Sequence, residues 1–437
     1  RGAYNLTTDV DQNGHLNRPR ETWGGMMRKL DNTDFEAQNI EYIEFWMMDP
    51  FIYKRNLPGN HGGDLYFNLG EVSEDILKDG KKYFESGMPV DANPQYYVDG
   101  YWGRIPNSSS VTYAFNNEAG ARARQDVGIN GLNDEEEREF SLYANYLQQI
   151  QSKVSQAVYD SILADPANDN YHYYRGTDYD NLQRSILDRY KRINMPQGNS
   201  ADSDTSPESY ETAWKSTPDV EDINQDYTLN EYEKYYQYRV SIRPEDMVVG
   251  RNHIADKRVA SVKLRNGNTE ECTWYLFRIP LRGYESKEGN IRDFTSIRFM
   301  RIFMTGFEEE TILRLATLDL VQGDWRTYQQ PLYTGNNVSS GGGVLEVSTV
   351  SIEENNDKQP VNYVLPPGIT RITDPSQSQL VESNEQAMCM VARNLGDSEA
   401  KAVYKNCNYD MRQYKRLQMF VHANALAENI TATADGE

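Results

Sequence analysis

At 437 residues, with 38% of them hydrophobic and 25% charged, the chain has material for about two to four ordinary domains. Its net charge of −21 and pI of about 4.8 argue against a basic face for a nucleic-acid backbone. No apolar run approaches the roughly eighteen residues of a membrane helix. The chain opens at Arg1 without an initiator Met or a signal peptide, so it is expected to be a fragment of something longer.

Residues 1–30 are turn-rich, and Asn13-Gly14 within DQNGHLN suits a tight hairpin. The stretch Asp31–Phe51 follows, and its centre Ile40–Met47 recurs twice, as Ile297–Met304 and Tyr414–Val421. Ile43, Phe45 and Met47 match Met300, Ile302 and Met304, then Leu417, Met419 and Val421. Such alternation puts each set on one face of a strand. A second strand follows two of the copies, with Leu65, Phe67 and Leu69 after the first and Leu313, Leu315 and Thr317 after the second. Two strands in fixed order, more than a hundred residues apart, predict a domain-sized repeat. Val72–Phe84 reads as a short helix capped by Ser73. Tyr96, Tyr97, Tyr101 and Trp102 form an aromatic cluster, which serves either as a stacking surface or as core packing.

Asp134–Ala164 carries helical periodicity in Phe140, Tyr143, Leu147, Ile150 and Val154. Asn133 is its cap, the run Asp134–Glu137 is read as a solvated helix start, and Pro166 ends it. A second helix is predicted over Asp178–Ile193. Met195–Pro218 is Ser/Asp/Pro-rich and reads as a linker. Strands are expected around Tyr235–Ile242, Val259–Leu264 and Trp274–Pro280, with Asn266-Gly267-Asn268 as a hairpin turn. Ser339–Gly343 is a flexible joint, and strands are expected from Val344 and over Gln386–Arg393.

The strongest chemical motif is Asp222–Glu233, DINQDYTLNEYE. Asp222, Asn224, Asp226, Thr228, Asn230 and Glu233 stand at positions 1, 3, 5, 7, 9 and 12 of a calcium-type loop. It resembles the calcium loops of EF-hands and dockerins, with one departure. Position 6, where the sharp turn needs Gly, is Tyr227. The alternative is a solvated acidic turn before a helix. A bound Ca2+ would be structural. Of the three cysteines, Cys272, Cys389 and Cys407, none forms a CxxC pair, and with five scattered His they argue against zinc. A Cys389–Cys407 disulfide and free buried thiols both remain open. No GxSxG, HExxH, P-loop or dinucleotide fingerprint occurs, and His61 and His253 sit in polar loops, so an enzyme is not expected.

Six runs stand out, WGGMMRKLDNTDFEAQNIEYIEFWMMDPF (Trp23–Phe51), GDLYFNLGEVSEDIL, QDVGINGLNDEEE, EDINQDYTLNE, FMRIFMTGFEE and YDMRQYKRLQMFVHA, in that order along the chain. They are similar in wording to the SprA/Sov family, the giant outer-membrane proteins of the type IX secretion translocon. The resemblance implies a parent β-barrel that carries proteins across the outer membrane and supports gliding motility in some relatives. Few girdled barrel strands occur here. The segment is therefore expected to be extramembrane, with galactose-binding-like jelly-roll sandwiches and no membrane-spanning segment of its own. Its implied partners are its own barrel, other secretion components and cargo, at the outer membrane or cell surface.

The expected organisation is mainly β with a helical insertion. A first β-sandwich-like region spans 1–115, the helical insertion 116–195 and the linker 196–218. The calcium-like loop and a second sandwich take 219–338, and a third, truncated sandwich starts at 339–437. The expected role is structural, to cap, gate or dock. The alternative is a carbohydrate-binding jelly-roll surface protein, with Trp46, Tyr96, Tyr97, Tyr101 and Trp102 as stacking residues.

Overall fold

Alternating apolar residues favour strands with one buried face, and the computed structural model is accordingly mainly β with a helical stretch between its strands. It describes residues 6–52, 61–107, 115–116, 118, 121–170, 174, 177–190, 218–264, 266–323, 325–328, 332, 342–356, 363–371, 382–396, 399–405 and 410–423. The strands are β1 (Trp23–Lys29), β2 (Ile40–Met48), β3 (Gly63–Glu71), β4 (Tyr97–Asp99), β5 (Arg104–Pro106), β6 (Lys234–Ile242), β7 (Ile254–Lys263) and β8 (Thr269–Pro280). They continue with β9 (Ser286–Glu288), β10 (Phe299–Thr305), β11 (Leu315–Gln322), β12 (Arg326–Thr327), β13 (Val344–Ser351), β14 (Gln386–Arg393) and β15 (Val403–Tyr404). By contact density the chain divides into one unit of Arg1–Ala37 with Ile43–Asp319, and another of Gln38–Tyr42 with Leu320–Glu437.

In the first unit, one sheet has the order β1-β10-β3-β6-β9 and a second the order β11-β2-β8-β7. Register aligns the apolar rows of the first sheet. Leu65, Phe67 and Leu69 stand opposite Val240, Tyr238 and Tyr236 on one side, and opposite Met304, Ile302 and Met300 on the other. In the second sheet Ile43, Phe45 and Met47 on β2, with Phe277 and Ile279 on β8, are fully buried. The Phe45 ring stacks on Phe277 at 4.9 Å and meets Phe67 of the other sheet at 5.3 Å. The two inner faces thus close over one aromatic core.

This arrangement corrects the expected division. The strands of 1–115 and of 219–338 do not make separate sandwiches. β1 and β3 pair antiparallel with β10 and β6, and β2 lies between β11 and β8. The repeat has a different meaning from the one expected. Its first copy passes from the second sheet (β2) to the first (β3), and its second copy from the first (β10) to the second (β11). Each copy supplies one strand to each sheet, and neighbours in a sheet come from different copies. The third copy, Tyr414–Val421, forms no strand and every one of its side chains is exposed. Alternation favours a strand only where a partner ladder satisfies its N–H and C=O groups.

The hairpin turns are as read. Gly14 and Gly267 both adopt positive φ, at 81° and 87°, with Asp11 N–H donating to His15 and Leu264 N–H to Asn268. Val72–Phe84 is not a helix. Its backbone donors are taken by side chains instead: Asp75 accepts from Asp79 and Gly80, and Glu221 from Leu77 and Tyr83.

The predicted helix Asp134–Ala164 is three pieces. After α1 (Ala121–Gln125) come α2 (Asp134–Glu139), α3 (Ser141–Ile150) and α4 (Gln156–Ala164). Asn133 and Glu136 form a reciprocal capping box at the start of α2. The chain breaks at Phe140, whose ψ of 132° is extended. Tyr146, Leu147 and Ile150 of α3 bury against Ile162 of α4, with Val154 and Val158 alongside. The acidic start is not wholly solvated, because Glu137 is fully buried and accepts from Asn130 Nδ2 (2.6 Å) and Ala167 N–H (3.0 Å). The second predicted helix is two single turns, α5 (Thr177–Asn181) and α6 (Ile186–Tyr190), parted where Gln183 takes φ 49°. Residues 191–217, which hold most of the linker, lie outside the described residues.

In the second unit β13 pairs antiparallel with β14, and β12 with β15. A one-turn helix, α7 (Ile352–Asn355), follows β13. Tyr42 Oη donates to the Val347 carbonyl at 3.2 Å. Cys272 and Cys389 are free thiols, and Cys407 lies outside the described residues.

Candidate cation loop and its buried carboxylates

Asx-type side chains at alternate positions curl a chain by accepting its own N–H groups. The Asp222 loop does this. Asp222 Oδ1 and Oδ2 accept from Asp226 (3.1 Å) and Tyr227 (2.8 Å), Asn224 Oδ1 accepts from Asp226 (2.8 Å), and Asp226 Oδ1 accepts the Thr228 hydroxyl (2.6 Å). Burial pushes the Asp226 carboxyl up, but the Thr228 bonds and the Arg298 charge outweigh it and hold the group below its ordinary range. Tyr227 adopts φ 68°, the left-handed conformation the motif demands at this position and one that costs a side chain about 1 kcal/mol or more. The turn is therefore built with a residue that opposes it.

The structure brings Asp222, Asn224, Asp226 and Thr228 together and draws the other two candidates away. Asn230 is buried and donates Nδ2 to the Val72 carbonyl at 2.9 Å. Glu233 forms a two-pronged ion pair with Arg301 of β10, at 2.9 and 3.1 Å. A cation using Glu233 would have to displace that guanidinium. The segment after the loop is β6 rather than a helix.

Three carboxylates that local sequence reasoning missed surround the loop. Glu74 is fully buried and accepts N–H groups from Asn224 (3.1 Å) and Asn230 (3.2 Å). Burial raises its pKa, the two N–H bonds oppose the rise, and Asp222 and Asp226 add to it. Glu221 accepts from Leu77 (3.1 Å) and Tyr83 (3.2 Å), and burial pushes it up to about 8 against those bonds. Glu85 accepts from Gly128 (3.0 Å) and from Asp219. Each carboxylate ties backbone donors of a segment that has no sheet ladder. This chemistry is fixation of long loops by buried acceptors. No local signal marks these residues, since their partners lie 43 to 156 residues away.

The aromatic cluster is divided. Trp102 packs against Leu77, Tyr83, Ile105 and Ile129, so it belongs to a core, and it meets Tyr101 edge-on at 4.8 Å. The Tyr97 ring lies 4.3 Å beneath the Arg104 guanidinium. Tyr96 and Tyr101 are exposed, and Trp46 is half-buried on β2. His61 is exposed, and His253 is half-buried with its pKa lowered by burial.

No curated protein matches the chain. The SprA_N family, described as motility related/secretion protein, matches residues 145–437. That stretch holds β6 to β15, while β1, β2 and β3 lie outside it yet share its sheets. With more than half of its length matched, the chain belongs to the SprA_N family of motility related/secretion proteins.

Proposed function

We propose that this chain is an extramembrane, non-enzymatic segment of an outer-membrane translocon of the type IX secretion system, where it caps, gates or docks around the conduit. The observation that carries the reading is the family match together with the interleaving of β1–β3 into the matched strands. A family assigned to residues 145–437 thereby extends, through shared sheets, to strands that precede it. Among the described residues no helix is long and apolar enough to cross a membrane. The loops pinned by Glu74, Glu85 and Glu221 support a rigid architectural role, because backbone fixed by buried acceptors keeps one shape under load. The partners under this reading are the parent barrel, the other secretion components and passing cargo.

The test begins with an immunoblot of outer-membrane fractions with antibody to this chain. The expected band is several-fold heavier than 50.3 kDa and partitions with the membrane. In cells whose parent protein lacks residues 218–323, secreted cargo should accumulate behind the outer membrane while the barrel remains inserted. A soluble band near the mass of this chain, or unchanged secretion and motility in the deletion strain, would overturn the reading.

A further inference from the structure

A second group of acids lies apart from the loop, where the start of α2 meets the turn after α4. Asp134 and Glu137 stand three residues apart on α2 and so share a face. Asp165 caps the end of α4, and Pro166 then turns the chain so that Asp169 returns, with Asn168 at φ 62°. One carboxylate oxygen from each of Asp134, Glu137 and Asp165 lies within 4.8 Å of the others. Glu137 is fully buried and Asp165 nearly so.

The independent sign of a ligand is Asp169. It is 2% exposed, and its buried Oδ2 has no hydrogen-bond partner. A buried carboxylate oxygen without a partner, on a residue whose N–H is held by Asp165, is costly in a dry site, and a nearby cation removes that cost.

We propose that Asp134, Glu137 and Asp165 bind one calcium ion beside the unpartnered Asp169 carboxylate, and that the ion ties the N-terminus of α2 to the turn after α4. The donors are all oxygens, which selects a hard cation over zinc or copper. Several carboxylates in irregular surroundings suit the flexible, high coordination of Ca2+ better than the strict octahedron of Mg2+. Half-exposed Asp134 gives the ion a path from solvent. The remaining bonds orient the ligands. Asn130 Nδ2 donates to Glu137 at 2.6 Å, Ala167 N–H to Glu137 at 3.0 Å, Asp169 N–H to Asp165 at 3.2 Å, and Asn170 Nδ2 to both Asp134 oxygens at 3.1 and 3.0 Å.

The test uses the full chain stripped of metal, with calorimetric Ca2+ titration and thermal melts in chelator, Ca2+ and Mg2+ at neutral pH. One Ca2+ should bind and raise the Tm, with a smaller shift from Mg2+ at equal concentration. Asp169→Asn and Glu137→Gln should each weaken binding about tenfold or more. In chelator Asp169→Asn should melt no lower than the wild type, because it replaces a buried acid whose outer oxygen has no partner; an aspartate with a structural role of its own would lose stability. Asp222→Asn should keep the full Ca2+ shift. No shift in the wild type at millimolar Ca2+, an equal response to Mg2+, a shift retained in Glu137→Gln, or a shift lost in Asp222→Asn would each overturn the assignment.

Discussion

Phe45 and Phe277 decide whether the chain's two halves make one core. Phe45 sits on β2 and Phe277 on β8, 232 residues later, and their rings stack at 4.9 Å with 8° between planes. Both are fully buried. Truncating either to alanine should cost about 3–5 kcal/mol, from lost transfer energy and the cavity left behind. The double variant should cost less than the sum, by about 0.5–1.5 kcal/mol, because the stacked contact can be lost only once. The assay is urea unfolding followed by intrinsic fluorescence, with slopes compared to confirm that midpoints report stability. Phe45→Ala with Ile150→Ala serves as the control, since Ile150 belongs to the helical core with Tyr146, Leu147 and Ile162; that pair should add. If Phe45 and Phe277 also add within about 0.3–0.5 kcal/mol, the two residues do not share a core and the interleaved sandwich is wrong.

Tyr227→Gly should stabilise the chain by about 0.5–1 kcal/mol, because glycine adopts φ 68° without the side-chain clash; a loss in midpoint urea would show that the ring contributes more than the strain costs. Glu85→Ala leaves the Gly128 and Asp219 N–H groups without their carboxylate acceptors. It should cost about 2–4 kcal/mol, with hydrogen exchange accelerating first at those two amides. Gly103→Ala should cost several kcal/mol, since a Cβ there would lie 2.1 Å from the Asn130 carbonyl oxygen; a Tm within a degree or so of wild type would refute that contact. His253 gives a pH dependence. Burial lowers its folded pKa below the ordinary value of about 6.5, so the unfolded chain takes up the proton first. Its contribution is complete above that value and is lost as pH falls toward the folded pKa. In His253→Gln the drop in Tm between neutral pH and about pH 5 should be shallower, and an equal drop would exclude this histidine as a source.

Features with local causes were legible in the residues themselves. Asn13-Gly14 and Asn266-Gly267 demand positive φ and make turns, Asn133 with Glu136 closes a capping box, and alternation placed Ile43, Phe45, Met47 and Leu65, Phe67, Leu69 inward. The wording of its motifs also indicated the family, which the match over 145–437 bears out. Part of the cation loop was legible as well, because Asp222, Asn224 and Asp226 act on N–H groups within five residues. Strand pairing was settled by the folded chain, since alternation names the buried face of a strand but not its neighbour. That is why a repeat that reads as two domains builds one sandwich. The fold also settled that Glu233 serves Arg301, that Val72–Phe84 gives up its helix to side-chain acceptors, the buried Glu221 among them, and that Glu137 and Asp169 lie inside. In each case the deciding partner is far away in the chain. The energy of an unsatisfied buried N–H, or of a charge in a dry site, exceeds the few tenths of a kcal/mol by which local propensity prefers one conformation.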